Sequence, residues 1–240
     1  MPDPAIRPGE NCFAFHKDRG LVEEYLDFFG QYSPPPGGNV VELGLFDGGS
    51  IPFWFELLQP AMHVGIDIQL REDDPYFRDY VDGRGLTDRI ETHWQTDQSD
   101  APRLHEICDN AFGEGAIDLV IDDASHWYPE TLASFEALFP RLRTGGVYII
   151  EDWAWLHWKA LEGVWEDKEP LTPLVVQLIE SIGSSRAVVE QMVVRGGFVA
   201  VRRGSGELHD STEFRLTDYI YRTRPQASER RGLFRGRRRL

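Results

Sequence analysis

Four apolar runs between residues 39 and 152 each carry an acid at or near their C-terminal end, and this repetition constrains the fold more than any other feature. They are "NVVELGLFDGGS", "HVGIDIQ" (63–69), "AIDLVIDD" and "GGVYIIEDW". Apolar runs this short, bounded by glycines and polar turns, read as buried strands. Between them "IPFWFELLQP", "APRLHEICDNAF" and "PETLASFEALFPRLR" read as helices, and "DRIETHWQTDQSD" (88–100) as a further strand with its loop. Strands alternating with helices over about 130 residues imply an α/β fold with a doubly wound, mostly parallel sheet. Ligands of such sheets sit beyond the carboxyl ends of the strands. The acids therefore gather on the edge where function is expected.

The flanks complete one domain, assigned to residues 1–221. Residues 1–20 are irregular, "LVEEYLDFFGQY" has helical spacing, and "SPPPGG" (33–38) stops it. Residues 1–37 are expected to form a helical lid. After Trp165, "PLTPLVVQLIESIG" reads as a helix and "AVVEQMVVRGGFVAVRRG" as two strands around a glycine turn, an antiparallel pair at the sheet edge. Residues 222–240 carry eight arginines against one glutamate, a basic tail expected to be disordered. The formal charge of −15 thus combines a tail of +7 with a body of −22. Such a body disfavours nucleic acid and suits cationic ligands and metal ions.

No apolar stretch approaches the roughly 20 residues that span a bilayer. "MPDPAIRPGE" lacks the basic-then-apolar order of a secretory leader. Cys12 and Cys108 are the only cysteines, too few for a disulfide framework or a thiolate metal site, which fits a reducing cytoplasm. Homo-oligomerisation is left open.

In the first turn, Gly44, Gly48 and Gly49 permit close backbone approach, with the acid Glu42 beside them. The G-x-x-x-G-G spacing is neither a dinucleotide fingerprint nor a P-loop, which argues against pyrophosphate. Asp67, ending the second run, is placed to accept both hydroxyls of a ribose. An adenosine-type ligand without phosphates points to S-adenosylmethionine, a cation matched to the acidic body.

Asp122, Asp123 and His126 follow the fourth strand, and Glu151 and Asp152 end the fifth. These strands are expected to be parallel neighbours about 4.8 Å apart, bringing Asp123, Glu151 and Asp152 into one small volume. Three carboxylates there repel unless a divalent cation joins them, and oxygen-only ligands favour Mg²⁺ or Ca²⁺. Imidazole titrates near neutral pH, so His126 beside the metal suits a general base. Asp122 is as well suited to contacting the cofactor or capping the next helix as to binding the metal.

Together "VELGLFDGGS", "VGIDIQ", "TDQSD", "IDLVIDDASH" and "LFPRLRTGGVYIIEDW" resemble the metal-dependent sugar O-methyltransferases of macrolide and other glycosylated natural-product pathways. The related cephalosporin-hydroxylase-type proteins share much of the pattern. The resemblance covers roughly residues 38–155 and implies a class I methyltransferase fold. It implies Mg²⁺ ligation by Asp123, Glu151 and Asp152, with His126 as base. It also implies cofactor contacts from Glu42, Gly44, Ser50, Asp67, Asp97 and Asp122. The chain departs from the family before the first helix, where "FHKDRG" replaces a threonine-Asp-Lys-type motif. In "DWAWLHWKALEGVW", Trp153 and Trp155 are candidates for contact with a sugar acceptor, ahead of Trp158 and Trp165. A catechol acceptor, or a non-catalytic cofactor-binding role, are the rival readings.

Overall fold

The computed structural model describes residues 13–222, apart from 14, 33–36, 71–72, 74, 114, 160–161, 165–166 and 209–212. The basic tail beyond Arg222, Cys12 and Trp165 lie outside the described residues. The chain runs α1 (Arg19–Tyr32), β1 (Asn39–Leu43), α2 (Ser50–Leu58), β2 (Met62–Ile66), α3 (Pro75–Gly83), β3 (Ile90–His93), α4 (Ala101–Phe112) and β4 (Ile117–Asp122). It continues with α5 (Tyr128–Leu138), β5 (Leu142–Glu151), α6 (Thr172–Ser184), β6 (Val189–Val194) and β7 (Phe198–Arg203). The seven strands are ordered β3-β2-β1-β4-β5-β7-β6. The first five pair in parallel, and β7 joins β5 and β6 antiparallel. The mostly parallel sheet with an antiparallel edge pair is therefore as the strand pattern implies. Helix α3 was not among the expected elements.

Side chains alternate across the sheet with period two. Val41, Leu43, Val64, Val120, Tyr148 and Ile150 pack with Leu104 of α4, Phe135 of α5 and Leu174 of α6. Val40, Leu119, Ile121, Val147 and Ile149 pack with Tyr25, Phe28 and Phe29 of α1 and Trp54 of α2. Both faces are covered, as parallel strands require. Fully buried side chains such as Trp54 and Phe135 contribute about 2–3 kcal/mol each. This parity also assigns the acids. Glu42 and Glu151 share the α1–α2 face, and Asp122 faces α4 and α5.

Register then aligns the strand tips. Leu43 pairs with both Ile66 and Asp122, and Asp122 with Ile150, so β1, β2, β4 and β5 end level. Continuing that register sets Asp123 opposite Glu151.

Candidate active site

A cavity of about 600 Å³ opens beyond these tips, with walls from the turns after β1, β2, β3, β4 and β5. The Gly44 turn, Ser50, Asp67 and Asp97 line it, as do Asp123, His126 and Asp152.

Gly44 is the hinge between the two halves. Its φ is +87°, and a Cβ there would lie 2.1 Å from the Asp123 carbonyl oxygen. The Gly44 amide donates to the Ile66 carbonyl at 2.8 Å, and the Asp123 amide to the Leu43 carbonyl at 2.8 Å. The glycine turn and the acid loop thus share one backbone junction. Asp67 tightens the same turn, accepting from the amides of Leu45 (2.7 Å), Phe46 (2.9 Å) and Gln69 (2.7 Å). A carboxylate has about four acceptor positions, so Asp67 keeps capacity for a ligand hydroxyl. Ser50 Oγ is buried with no hydrogen-bond partner, at the start of α2 and on the cavity wall. An orphaned hydroxyl there fits a polar ligand. Asp97 is exposed, with Oδ1 accepting from the Ser99 amide and hydroxyl at 2.8 Å.

Two of the expected cofactor contacts lie off the cavity wall. Glu42 does not line the cavity. It is fully buried on the α1–α2 face, 3.2 Å from His63 Nε2, and neither side chain has an aligned hydrogen bond. Asp122 is likewise buried. It accepts from the Tyr148 hydroxyl (2.7 Å), the Ser134 hydroxyl (2.7 Å) and Gln98 Nε2 (3.1 Å). Burial pushes its carboxyl up, and the bonds from Tyr148 and Ser134 oppose that shift. Gln98, unremarked in the sequence, returns through Oε1 to accept from the Ser125 amide at 2.8 Å. It therefore staples the loop after β3 to the acid loop.

Ligand atoms of Asp123, His126 and Asp152 lie within 4.8 Å of one another. His126 Nε2 is 3.8 Å from Asp123 Oδ1, and its Nδ1 is buried without a partner. His126 (φ +59°) and Asp152 (φ +50°) both adopt left-handed backbone, which L-residues rarely hold without compensating interactions. Burial pushes the Asp152 carboxyl above its ordinary range. The two carboxylates at this spacing fit a divalent cation, and the imidazole stands beside them with a ring nitrogen free for proton transfer.

Glu151 is placed differently. Strand parity turns its carboxylate into the α1–α2 face, where it accepts from Lys17 Nζ at 2.6 and 2.7 Å and from the Tyr25 hydroxyl at 2.7 Å. Lys17 Nζ also donates to Asp123 Oδ2 at 2.7 Å. Burial, then the charge of Asp123, pushes the Glu151 carboxyl up, and the charge and hydrogen bonds of Lys17 oppose that shift. Lys17 is the residue that sequence reading missed, because its partners lie 106 and 134 positions away.

Aromatic side chains flank the histidine. Trp155 meets the His126 ring edge-on at 5.1 Å and stacks on Trp127 at 5.5 Å, and Trp127 lines the cavity. Trp153, by contrast, donates its indole N–H to the Arg195 carbonyl at 2.9 Å and packs against the core.

Residues 41–153 match a family described as a methyltransferase domain. The 8-demethyl-8-alpha-L-rhamnosyl tetracenomycin-C 2'-O-methyltransferase of Streptomyces olivaceus is 30% identical over 172 residues, 68% of this chain and 40% of that protein. The mycinamicin VI 2''-O-methyltransferase of Micromonospora griseorubida is 34% identical over 138 residues, 55% of this chain and 31% of that protein. A solved structure of the MycE methyltransferase, in complex with Mg, SAH and mycinamycin VI, is 28% identical with a TM-score of 0.59. That match covers 80% of this chain and 51% of MycE. This chain spans less than half the length of these curated relatives. Residues 41–153 thus match a methyltransferase domain, and the chain is similar in sequence and fold to sugar O-methyltransferases of glycosylated natural products.

Proposed function

We propose that this chain catalyses S-adenosylmethionine- and Mg²⁺-dependent methylation of a sugar hydroxyl on a glycoside. The observation that carries the reading is the convergence of Asp123, His126 and Asp152 within 4.8 Å, on the wall of a cavity that the Gly44 turn also lines. The rhamnosyl-tetracenomycin and mycinamicin relatives support the acceptor class, and the MycE complex supports the cofactor and metal.

The two halves of the cavity divide the work. Asp67, Ser50 and Asp97 would hold the cofactor beside the Gly44 turn. Asp123 and Asp152 hold the metal, with Glu151 behind Asp123 as the third acid. When bound, the metal supplies Lewis acidity that makes a chelated hydroxyl easier to deprotonate. His126 takes the hydroxyl proton on its imidazole as the methyl moves from the sulfonium to that oxygen. Trp127 and Trp155 offer apolar faces to the sugar ring beside the histidine. Most of the rate comes from holding the reacting atoms in line.

Asp152→Asn tests the division. It is expected to weaken Mn²⁺ binding at least about 100-fold while leaving S-adenosylmethionine affinity within a few fold. Calorimetry reads both. Unchanged Mn²⁺ affinity would remove Asp152 from the metal site, and no cofactor binding in the wild type would remove the methyltransferase reading.

A further inference from the structure

The acids at the strand tips already have a cation, and it belongs to the protein. Lys17 Nζ spends its three protons on three carboxylate oxygens, Asp123 Oδ2 at 2.7 Å and Glu151 Oε1 and Oε2 at 2.7 and 2.6 Å. Its side chain is 4% exposed and that of Glu151 is 2% exposed. Its ammonium is thus buried against two carboxylates, which compensate it by direct ion pairing. Tyr25 adds a donor to Glu151, so the pair is satisfied on every side that faces the core. The segment delivering the lysine is itself fastened to the cavity rim. Phe15 stacks on Phe53 at 4.2 Å, and His16 lies 3.6 Å from Asp47 and edge-on to Phe46.

We propose that Lys17 is a resident counter-cation that holds Asp123 and Glu151 together and keeps the acid cluster assembled before a divalent ion binds. Asp123, Glu151 and Asp152 are three like charges at one pair of strand tips, and such a group does not stay assembled unaided. A lysine locked between two of them leaves the cluster acidic enough for a divalent cation while compensating its most buried member. Lys17 is thus a positioning residue. It lines the cavity but spends its ammonium on Asp123 and Glu151, and so acts through Asp123.

The part of this inference that concerns the metal rests on the proposed function, and the test separates the two. Wild type, Lys17→Met and Lys17→Met/Glu151→Gln are unfolded thermally in chelator and in saturating Mn²⁺. In chelator, Lys17→Met is expected to unfold at least about 6 °C below wild type, because it strands a buried carboxylate. The double variant removes that carboxylate's charge and should recover most of the loss. Saturating Mn²⁺ should close most of the gap for the single variant, since a cation binding only the native state compensates the same acids.

A single-variant loss of equal size with and without Mn²⁺, or no recovery in the double variant, would overturn the proposal by showing that Lys17 only fills space. If the single variant does not fold, the double variant decides alone: folding supports the counter-cation, and failure to fold contradicts it. Wild type that binds no Mn²⁺ would sink the metal-dependent reading above, and the chelator arm would still judge Lys17.

Discussion

His126→Asn should lose about 10³-fold in kcat while binding S-adenosylmethionine within a few fold of wild type. Asparagine is the informative replacement, because residue 126 sits at φ +59°. Asparagine tolerates that left-handed conformation, whereas alanine adds a backbone cost of about 1–2 kcal/mol and mixes folding with chemistry. The His126 imidazole stands 3.8 Å from Asp123 Oδ1, and no other imidazole among the described residues shares that ligand group. His16 lines the same cavity but pairs with Asp47, so it offers no ready substitute. The size of the loss also separates acceptor classes. A catechol hydroxyl is acidic enough to react with little help, and a sugar hydroxyl is not. A loss of only a few fold would therefore favour a phenolic acceptor and withdraw the base assignment.

Gly44→Ala should be the most damaging single methyl group in the fold. The added carbon would lie 2.1 Å from the Asp123 carbonyl oxygen and 2.7 Å from the Ala124 Cα. Both are backbone atoms that no rotamer change can move. The left-handed φ of +87° adds its own penalty for any L side chain. Together these cost about 3 kcal/mol or more, and relief requires parting the β1 turn from the acid loop. Thermal unfolding should fall by at least about 6 °C, and cofactor and metal affinity should drop together because both halves meet at this junction. Gly48→Ala is the control. Its φ is +77°, yet nothing lies within 4 Å of the new carbon, so only the conformational cost applies. Equal effects at the two positions would show that φ alone, and not the Gly44 junction, matters.

Much of the fold was legible because the strands announce themselves. "HVGIDIQ", "AIDLVIDD" and "GGVYIIEDW" are apolar enough to be buried on both faces, and their spacing leaves room only for crossover helices. Helix α3 was less visible. "PYFRDYVDG" mixes charged residues among a few apolar ones, and it buries only Phe77 and Val81.

The clustering of Asp123, His126 and Asp152 could be read from strand order alone. Which way each acid points could not. A strand buried on both faces shows no polar–apolar alternation, so parity carries no signal in the sequence. That is why Glu42 and Asp122 looked like cofactor contacts, whereas the structure turns them into opposite faces of the core. Lys17 was invisible for a different reason. Its role depends on a chain segment folding back across more than 100 residues to reach Asp123, and no local pattern records such a contact.

The central claim is that a metal held at these strand tips enables methyl transfer to a sugar hydroxyl. It is tested most directly by incubating the protein with S-adenosylmethionine and a panel of small glycosides, and following products by mass spectrometry with Mg²⁺, with chelator, and with Mg²⁺ restored. The account predicts a glycoside gaining one methyl group with Mg²⁺, loss of that product in chelator, and its return when Mg²⁺ is added back. Methyl transfer that persists undiminished in chelator would contradict it.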